Sequence, residues 1–256
     1  MKRQVFFLGI YALFAILLFS SWKVTDRADM EDVLKKADFY RGGQVPGVAW
    51  ELVVQNVEQG EVKDEIGLLV EAASGEDYQY VLITFMEPRK YTGQKLLVRD
   101  NSMWFVKKGL RNPVPISSRQ RLTGSASNAD VATANYYKDY EIQSSEEGEF
   151  QGTSCWILDL EAKNNLVSYS KIKYWISQDK NFGLHAEYYG KSGKLIKEAS
   201  FDYTNKVEYQ NKEYDYLSKI IISDSMHEED KTYLTISPAR FTTFNNSKFQ
   251  KDRLMD

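Results

Sequence analysis

The sequence predicts an α+β, mostly β fold: a single curved antiparallel sheet packed against two or three helices. Three observations predict it. The chain holds 17 Tyr, 13 Phe and 5 Trp against 5 Pro, and ring side chains pack well on a pleated surface. From Val48 onward apolar residues recur at alternate positions, the period of a half-buried strand. These strands follow one another through turns, without helices between them, so neighbours run antiparallel rather than as βαβ units.

The elements follow in order. Residues 1–4 carry Lys2 and Arg3, and Val5–Phe19 is apolar apart from the mild breaks of Gly9 and Tyr11. A basic start followed by such a run reads as an export signal. It is short for a full bilayer span of about 20 residues, and no clean small-x-small cleavage site follows it. Residues 1–24 are therefore expected to be a signal peptide or an uncleaved N-terminal membrane anchor. In both cases the positive-inside rule places the remainder outside the cytoplasm, in the periplasm. Ala28–Arg41 reads as a helix through Val33, Leu34, Ala37 and Tyr40, stopped by Gly42-Gly43.

Trp50, Leu52 and Val54 alternate with polar residues in a first strand, and Glu65–Ala73 returns after the Gly60 turn. Tyr80–Glu87 is a third strand, apolar on both faces. Lys95–Arg99 and Ser102–Lys107 pair across Asp100-Asn101. Leu110–Gln143 is a long connection with Pro113, Pro115 and a polar run, ending in a short helix capped by Ser127 or Asn128. Such a connection in a β protein is a candidate lid or plug. Ser144–Glu149 reads as an acidic turn. Strands resume at Ser154–Glu161, Ser170–Ser177, Gly183–Gly190, Lys194–Tyr203, Leu217–Ser223 and Lys231–Ser237. The count is roughly ten to eleven strands. No repeat or linker divides residues 25–256, which read as one domain.

Composition excludes several functions. The formal charge of −3 argues against nucleic acid, which requires a dense basic surface. One cysteine, Cys155, excludes an internal disulfide, and two histidines, His185 and His227, exclude a multi-His metal site. There is no nucleophile elbow, phosphate loop, zinc-protease motif or dinucleotide fingerprint. Cys155 lies beside Trp156 in a strand and reads as a buried structural thiol. The acidic stretches have no calcium-loop spacing. No enzyme activity and no cofactor are expected. What remains is apolar and aromatic surface on a sheet of a size that curls. Its concave face is either a filled core or the wall of a cavity for acyl chains, each buried CH₂ contributing about 0.8 kcal/mol.

The stretch Trp104–Tyr140, WFVKKGLRNPVPISSRQRLTGSASNADVATANYYKDY, resembles outer membrane lipoprotein-sorting proteins related to the LolA/LolB-type periplasmic carriers. The resembling pieces are the Trp-x-Phe strand, the Pro-bounded loop, Arg119 and Arg121 with Gly124-Ser125, Asn128-Ala129-Asp130, and Asn135-Tyr136 with Asp139-Tyr140. Cys155–Ala162, Tyr169, Ile172–Ile176 and Gly193–Lys197 continue it. The resemblance implies an incomplete β-barrel wrapped around its helices, a periplasmic setting, and an acylated lipoprotein or lipid as partner. The sequence departs from the general carrier in its long 110–143 segment and its pI of about 5.6.

Strand parity nominates Trp50, Leu52, Leu82, Trp104, Val106, Trp156, Leu158 and Tyr174 for the concave face, as cavity lining or as plain core. Arg119 and Arg121 border the candidate plug. They are expected to pair with an acidic headgroup, to sit solvated in the loop or, by the resemblance, to latch the lid. Asp130 and Asp139 are the nearest carboxylates to hold them closed. Two functions remain open: a lipid or lipoprotein carrier in sorting or lipid export, and a membrane-tethered interaction module accessory to an inner-membrane exporter or transporter.

Overall fold

The structure is a computed structural model that describes residues 27–132, 135–227 and 229–254. The expected export segment at 1–24 lies outside them. No helix among the described residues is long and apolar enough to cross a membrane.

Helix α1 (Arg27–Phe39) buries Met30, Leu34, Ala37 and Asp38. Its exposed side carries the i,i+4 pairs Arg27–Glu31 and Lys36–Asp32. Gly42 ends the turn after it with φ +93°, and a Cβ there would lie 2.9 Å from the Trp50 ring. Two strand meanders follow. The first is β1 (Val48–Glu58), β2 (Glu61–Ser74), β3 (Gln79–Glu87), β4 (Lys95–Arg99), β5 (Ser102–Val106) and β6 (Val114–Ile116). A crossing segment carries the small hairpin β7 (Arg121–Thr123) and β8 (Ala126–Ser127), then α2 (Asn128–Ala132) and α3 (Tyr136–Asp139).

The second meander is β9 (Tyr140–Phe150), β10 (Thr153–Ala162), β11 (Lys171–Ser177), β12 (Gly183–Tyr189) and β13 (Leu195–Asp202). A separate hairpin, β14 (Asn205–Tyr209) with β15 (Lys212–Tyr216), interrupts it before β16 (Lys219–Asp224) and β17 (Lys231–Ile236). The short β18 (Arg240–Phe241) pairs with the start of β1.

The main sheet runs β6-β5-β4-β3-β2-β1-β17-β16-β13-β12-β11-β10-β9. β1 pairs on one side with β2 and on the other with β17, in the register Leu52↔Ile236 and Val54↔Leu234. The terminal strands β6 and β9 do not pair with each other, so the sheet curves without closing. Its inner face, α1 and the crossing segment share one apolar core. A second cluster lies on the other face of β3–β5, where Phe249 and Leu254 of the C-terminal segment cover Leu82, Leu97 and Val106.

Two sequence expectations change. Ser144–Glu149 is not a turn but the outer part of β9; the reversal comes at Gln151-Gly152, both at positive φ. As an edge strand β9 needs few apolar residues, and its exposed glutamates discourage pairing with another chain. The β14–β15 hairpin had no clear signal, because its inward face is one valine, Val207, and the phenols Tyr209, Tyr214 and Tyr216 set among charged residues.

Gly183 on β12 sits where a Cβ would fall 1.7 Å from the Tyr174 hydroxyl. At Gly67 the nearest atom would be 3.4 Å away, an ordinary contact. Overpacking of this kind costs about 1–3 kcal/mol. Gly183→Ala is expected to lower the unfolding free energy in urea by that amount while Gly67→Ala changes it little; equal unfolding free energies for the two variants would contradict this packing.

Candidate functional site

The crossing segment from Ser117 to Asn135 acts as a plug over one end of the core. Gly124 (φ +51°) at its tip presses so close to β1 and β17 that a Cβ would meet Asn56 and Thr232 at 2.4 Å. Thr123 Oγ1 donates to Asp64 (2.9 Å) and Ser125 N–H donates to Thr232 Oγ1 (2.8 Å). Further along, Gln79 Nε2 donates to the Ala132 carbonyl (2.9 Å) and Asn135 Nδ2 to that of Gly75 (2.9 Å). On the far side Arg119 reaches the β10–β11 loop. Its Nε donates to the Ser168 carbonyl (2.9 Å), and its Nη2 to those of Val167 (2.8 Å) and Asn165 (3.2 Å). The plug's buried apolar side chains are Ala126, Ala129, Val131 and Ala132, with the partly buried Leu122 packed against the same core.

Beneath it the interior carries charge. Asp130 on α2 meets Lys197 on β13, with side chains 7% and 4% exposed. Asp130 also accepts from Ser127 N–H (2.6 Å) and Oγ (2.8 Å), and from the Tyr169 hydroxyl (2.9 Å). The bond from Ser127 N–H is half of a capping box for α2. Lys197 donates to the Ser125 carbonyl (3.1 Å) and lies over the Tyr169 ring. Tyr136 and Tyr188 join hydroxyls at 2.8 Å. Burial pushes the phenols of Tyr136, Tyr140, Tyr169 and Tyr188 up, so they remain neutral.

Arg41, just past α1, is 6% exposed. Its guanidinium stands 4.2 Å from the Tyr136 ring centre and 5.0 Å from that of Phe201, and Nη1 donates to the Tyr174 hydroxyl (3.1 Å). Asp38, one turn earlier, accepts the Tyr137 N–H at Oδ2 (2.8 Å) while Oδ1 has no partner. Burial drives its carboxyl up to about 7, against the pull of Arg41.

Between the plug and the sheet lies a cavity of about 40 Å³, lined by Arg41, Trp50, Leu52, Val81, Val131 and Leu234 among others. It has room for a water or two but not for an acyl chain.

The residues singled out from the sequence divide accordingly. Trp50 and Leu52 line the cavity. Trp156, Leu158 and Tyr174 pack into the same core. Leu82, Trp104 and Val106 face the other way, into the cluster under the C-terminal segment. On β3 both faces are apolar, so alternation carries no sign, and the register Leu82↔Leu97↔Trp104 takes all three outward together. Arg119 binds backbone carbonyls, whereas Arg121 is exposed on β7. Neither arginine meets the carboxylates expected for them: Asp130 binds Lys197, and Asp139, raised by its burial, lies 3.4 Å from Lys138. Arg41, Asp38 and Lys197 were not among the expected residues. Lys197 was findable, since Leu195, Lys197, Ala199 and Phe201 share one strand face. Arg41 continues the Met30-Leu34-Ala37 spacing of the buried helix stripe.

A curved antiparallel sheet left open along one seam, with a helix inside and a plug across its mouth, defines a LolA-like incomplete barrel. A family model described as "Uncharacterized protein" matches residues 77–256, more than half of the chain, and the chain belongs to that family. Three solved structures share the fold. A LolA superfamily protein of Nitrosomonas europaea is 23% identical, with TM-score 0.72, covering 87% of this chain and 97% of its own. A DUF1329 family protein of Desulfovibrio piger is 20% identical, with TM-score 0.71, covering 90% and 100%. A putative outer membrane lipoprotein-sorting protein domain of Vibrio parahaemolyticus is 18% identical, with TM-score 0.70, covering 90% and 97%. No curated protein matches the chain.

Removing one partner of a buried ion pair costs about 3–5 kcal/mol, because the other is left uncompensated. Lys197→Met is expected to destabilise the protein by that order in urea unfolding, and Lys197→Met with Asp130→Asn to recover much of it; additive losses would show the two side chains to be uncoupled. Asp38 supplies a pH signature. Its folded carboxyl holds a proton up to about pH 7, against an ordinary 3.8. The stability it contributes is therefore complete below pH 3.8 and is lost as pH rises through 7. Asp38→Asn should flatten the fall of unfolding free energy across that window, and parallel wild-type and variant curves would contradict the assignment.

Proposed function

We propose that the protein is an envelope lipid or lipoprotein carrier, which shelters acyl chains inside the barrel once the plug swings out. The observation that carries this reading is how the plug is fastened. It covers an apolar floor of Leu52, Val81, Leu234 and Ile236, yet what ties it down is polar: hydrogen bonds that water can replace and the Asp130–Lys197 ion pair. Its fully buried apolar side chains are three alanines and a valine, and its one leucine, Leu122, is only partly buried. Displacing it gives up little hydrophobic contact, and an acyl chain entering in its place regains about 0.8 kcal/mol per CH₂. The shared fold and the lipoprotein-sorting description of the Vibrio parahaemolyticus domain support the same reading. Trp50, Leu52, Trp156, Leu158 and Tyr174 would form the acyl-facing wall, and Arg119 would be the latch. The setting is the periplasm, reached through the segment at 1–24. The carrier role needs no catalytic group. Burial raises the Cys155 thiol, which keeps it protonated and unreactive.

One observation favours the alternative of a membrane-tethered module serving an exporter: the cavity of about 40 Å³ is nearly filled. The two readings separate experimentally. Native mass spectrometry of protein taken from membranes should show an acylated species bound to the carrier, and an empty protein that co-purifies with a membrane partner would favour the module. Arg119→Ala should speed uptake of a fluorescent acyl probe about tenfold, the effect of removing about 1.4 kcal/mol of latch; unchanged uptake would remove Arg119 from that role.

A further inference from the structure

We infer that Arg41 is the anchor for a single anionic group carried on the acyl ligand, so the interior prefers a carboxylate- or phosphate-headed amphiphile to a neutral one. The inference rests on the carrier reading above and adds the ligand's charge to it. Arg41 projects into the interior and borders both the central cavity and the smaller space next to it, lined by Tyr136, Tyr169, Tyr188 and Phe201. It is buried, and its Nε–H has no partner. Among the described residues no carboxylate oxygen lies within 4.0 Å of the guanidinium. Asp130 is engaged by Lys197, and Asp38 directs Oδ2 to the Tyr137 N–H.

The rings of Tyr136, Tyr174 and Phe201 meet the guanidinium as π systems. The ring faces do not satisfy its N–H donors, which lie in the guanidinium plane and form a fork that fits two oxygens of a carboxylate or phosphate; Nη1 is taken by the Tyr174 hydroxyl (3.1 Å), and Nε–H is left without a partner. A buried charge without an ionic partner is costly. An anion at Nε and Nη would remove that cost, and the apolar lining by Leu52, Ala72, Val81, Leu234 and Ile236 suits a tail rather than a free ion. In the closed form the space beside Arg41 is about 40 Å³, so the tail would extend through the volume that Val131 and Ala132 occupy.

The test compares a fluorescent fatty acid, at a pH where it is ionised, with the fatty alcohol of identical chain and label, both titrated into the full-length protein. The acid should bind at least about tenfold more tightly, the scale of one charge-assisted hydrogen bond. Arg41→Met should bring the acid to the alcohol's affinity and leave the alcohol unchanged, while Arg41→Lys should keep part of the preference. If Arg41→Met does not fold, the wild-type comparison and Arg41→Lys decide. Equal wild-type affinities for acid and alcohol would overturn the inference and leave the carrier reading standing; no binding of either would overturn both. Displacement of the acid by acetate or inorganic phosphate alone, at millimolar concentration, would show a free-anion site and likewise overturn it.

Discussion

The ladder between β1 and β17 is the constraint on which the rest of the molecule depends. Each meander is local, its strands joined by short turns, and either one alone would expose an apolar face. Pairing β1 to β17 in the register Leu52↔Ile236 and Val54↔Leu234 joins the two into one surface and sets Leu52, Val54, Leu234 and Ile236 side by side in the core. It is also the ladder that must be made across most of the chain, so its loop-closure cost is met only by the burial it completes. The plug tip docks on these two strands at Asn56 and Thr232. The position of the lid is thus inherited from the seam that builds the sheet.

Charge inside the barrel divides into two parts with different physical status. Asp130 and Lys197 neutralise each other and are wrapped by hydroxyls and a carbonyl, so the pair ties α2 to the sheet wall without leaving a bare ion. Arg41 is enclosed mainly by rings. The first arrangement fixes the crossing segment to the sheet. The second leaves bonding capacity directed at a space that Trp50 and Leu52 also border.

Much of the architecture was legible in the residues, and the unread parts have physical causes. Helix α1, its glycine stop and most of the inner strands announce themselves by period, and the resemblance of 104–140 to lipoprotein-sorting proteins implied the open barrel that the structure shows. The long connection after β5 was legible as a departure from the strand meander. Parity failed on β3 and β5, where Val81, Leu82 and Ile83 are apolar in succession and a far segment covers the outer face. Edge strand β9 was hidden by its own protective glutamates. Hydrogen-bond partners were the least legible: that Arg119 binds carbonyls of the 165–168 loop depends on a loop brought near only by folding.

The two unpaired edges of the sheet differ, and the difference bears on how the barrel opens. β6 is three residues long, with Pro115 in it, and β9 is eleven long and acidic. No ladder joins them, and what reaches across from the segment after β6 is a set of side-chain bonds, Ser118 to Ser168 and Arg119 to the carbonyls of the 165–168 loop. A ladder comes apart cooperatively, like a zipper, whereas isolated bonds let go one at a time. Under the carrier reading the gap would be a row of separate clasps, and an entrance there would loosen at one end while the other stayed fastened.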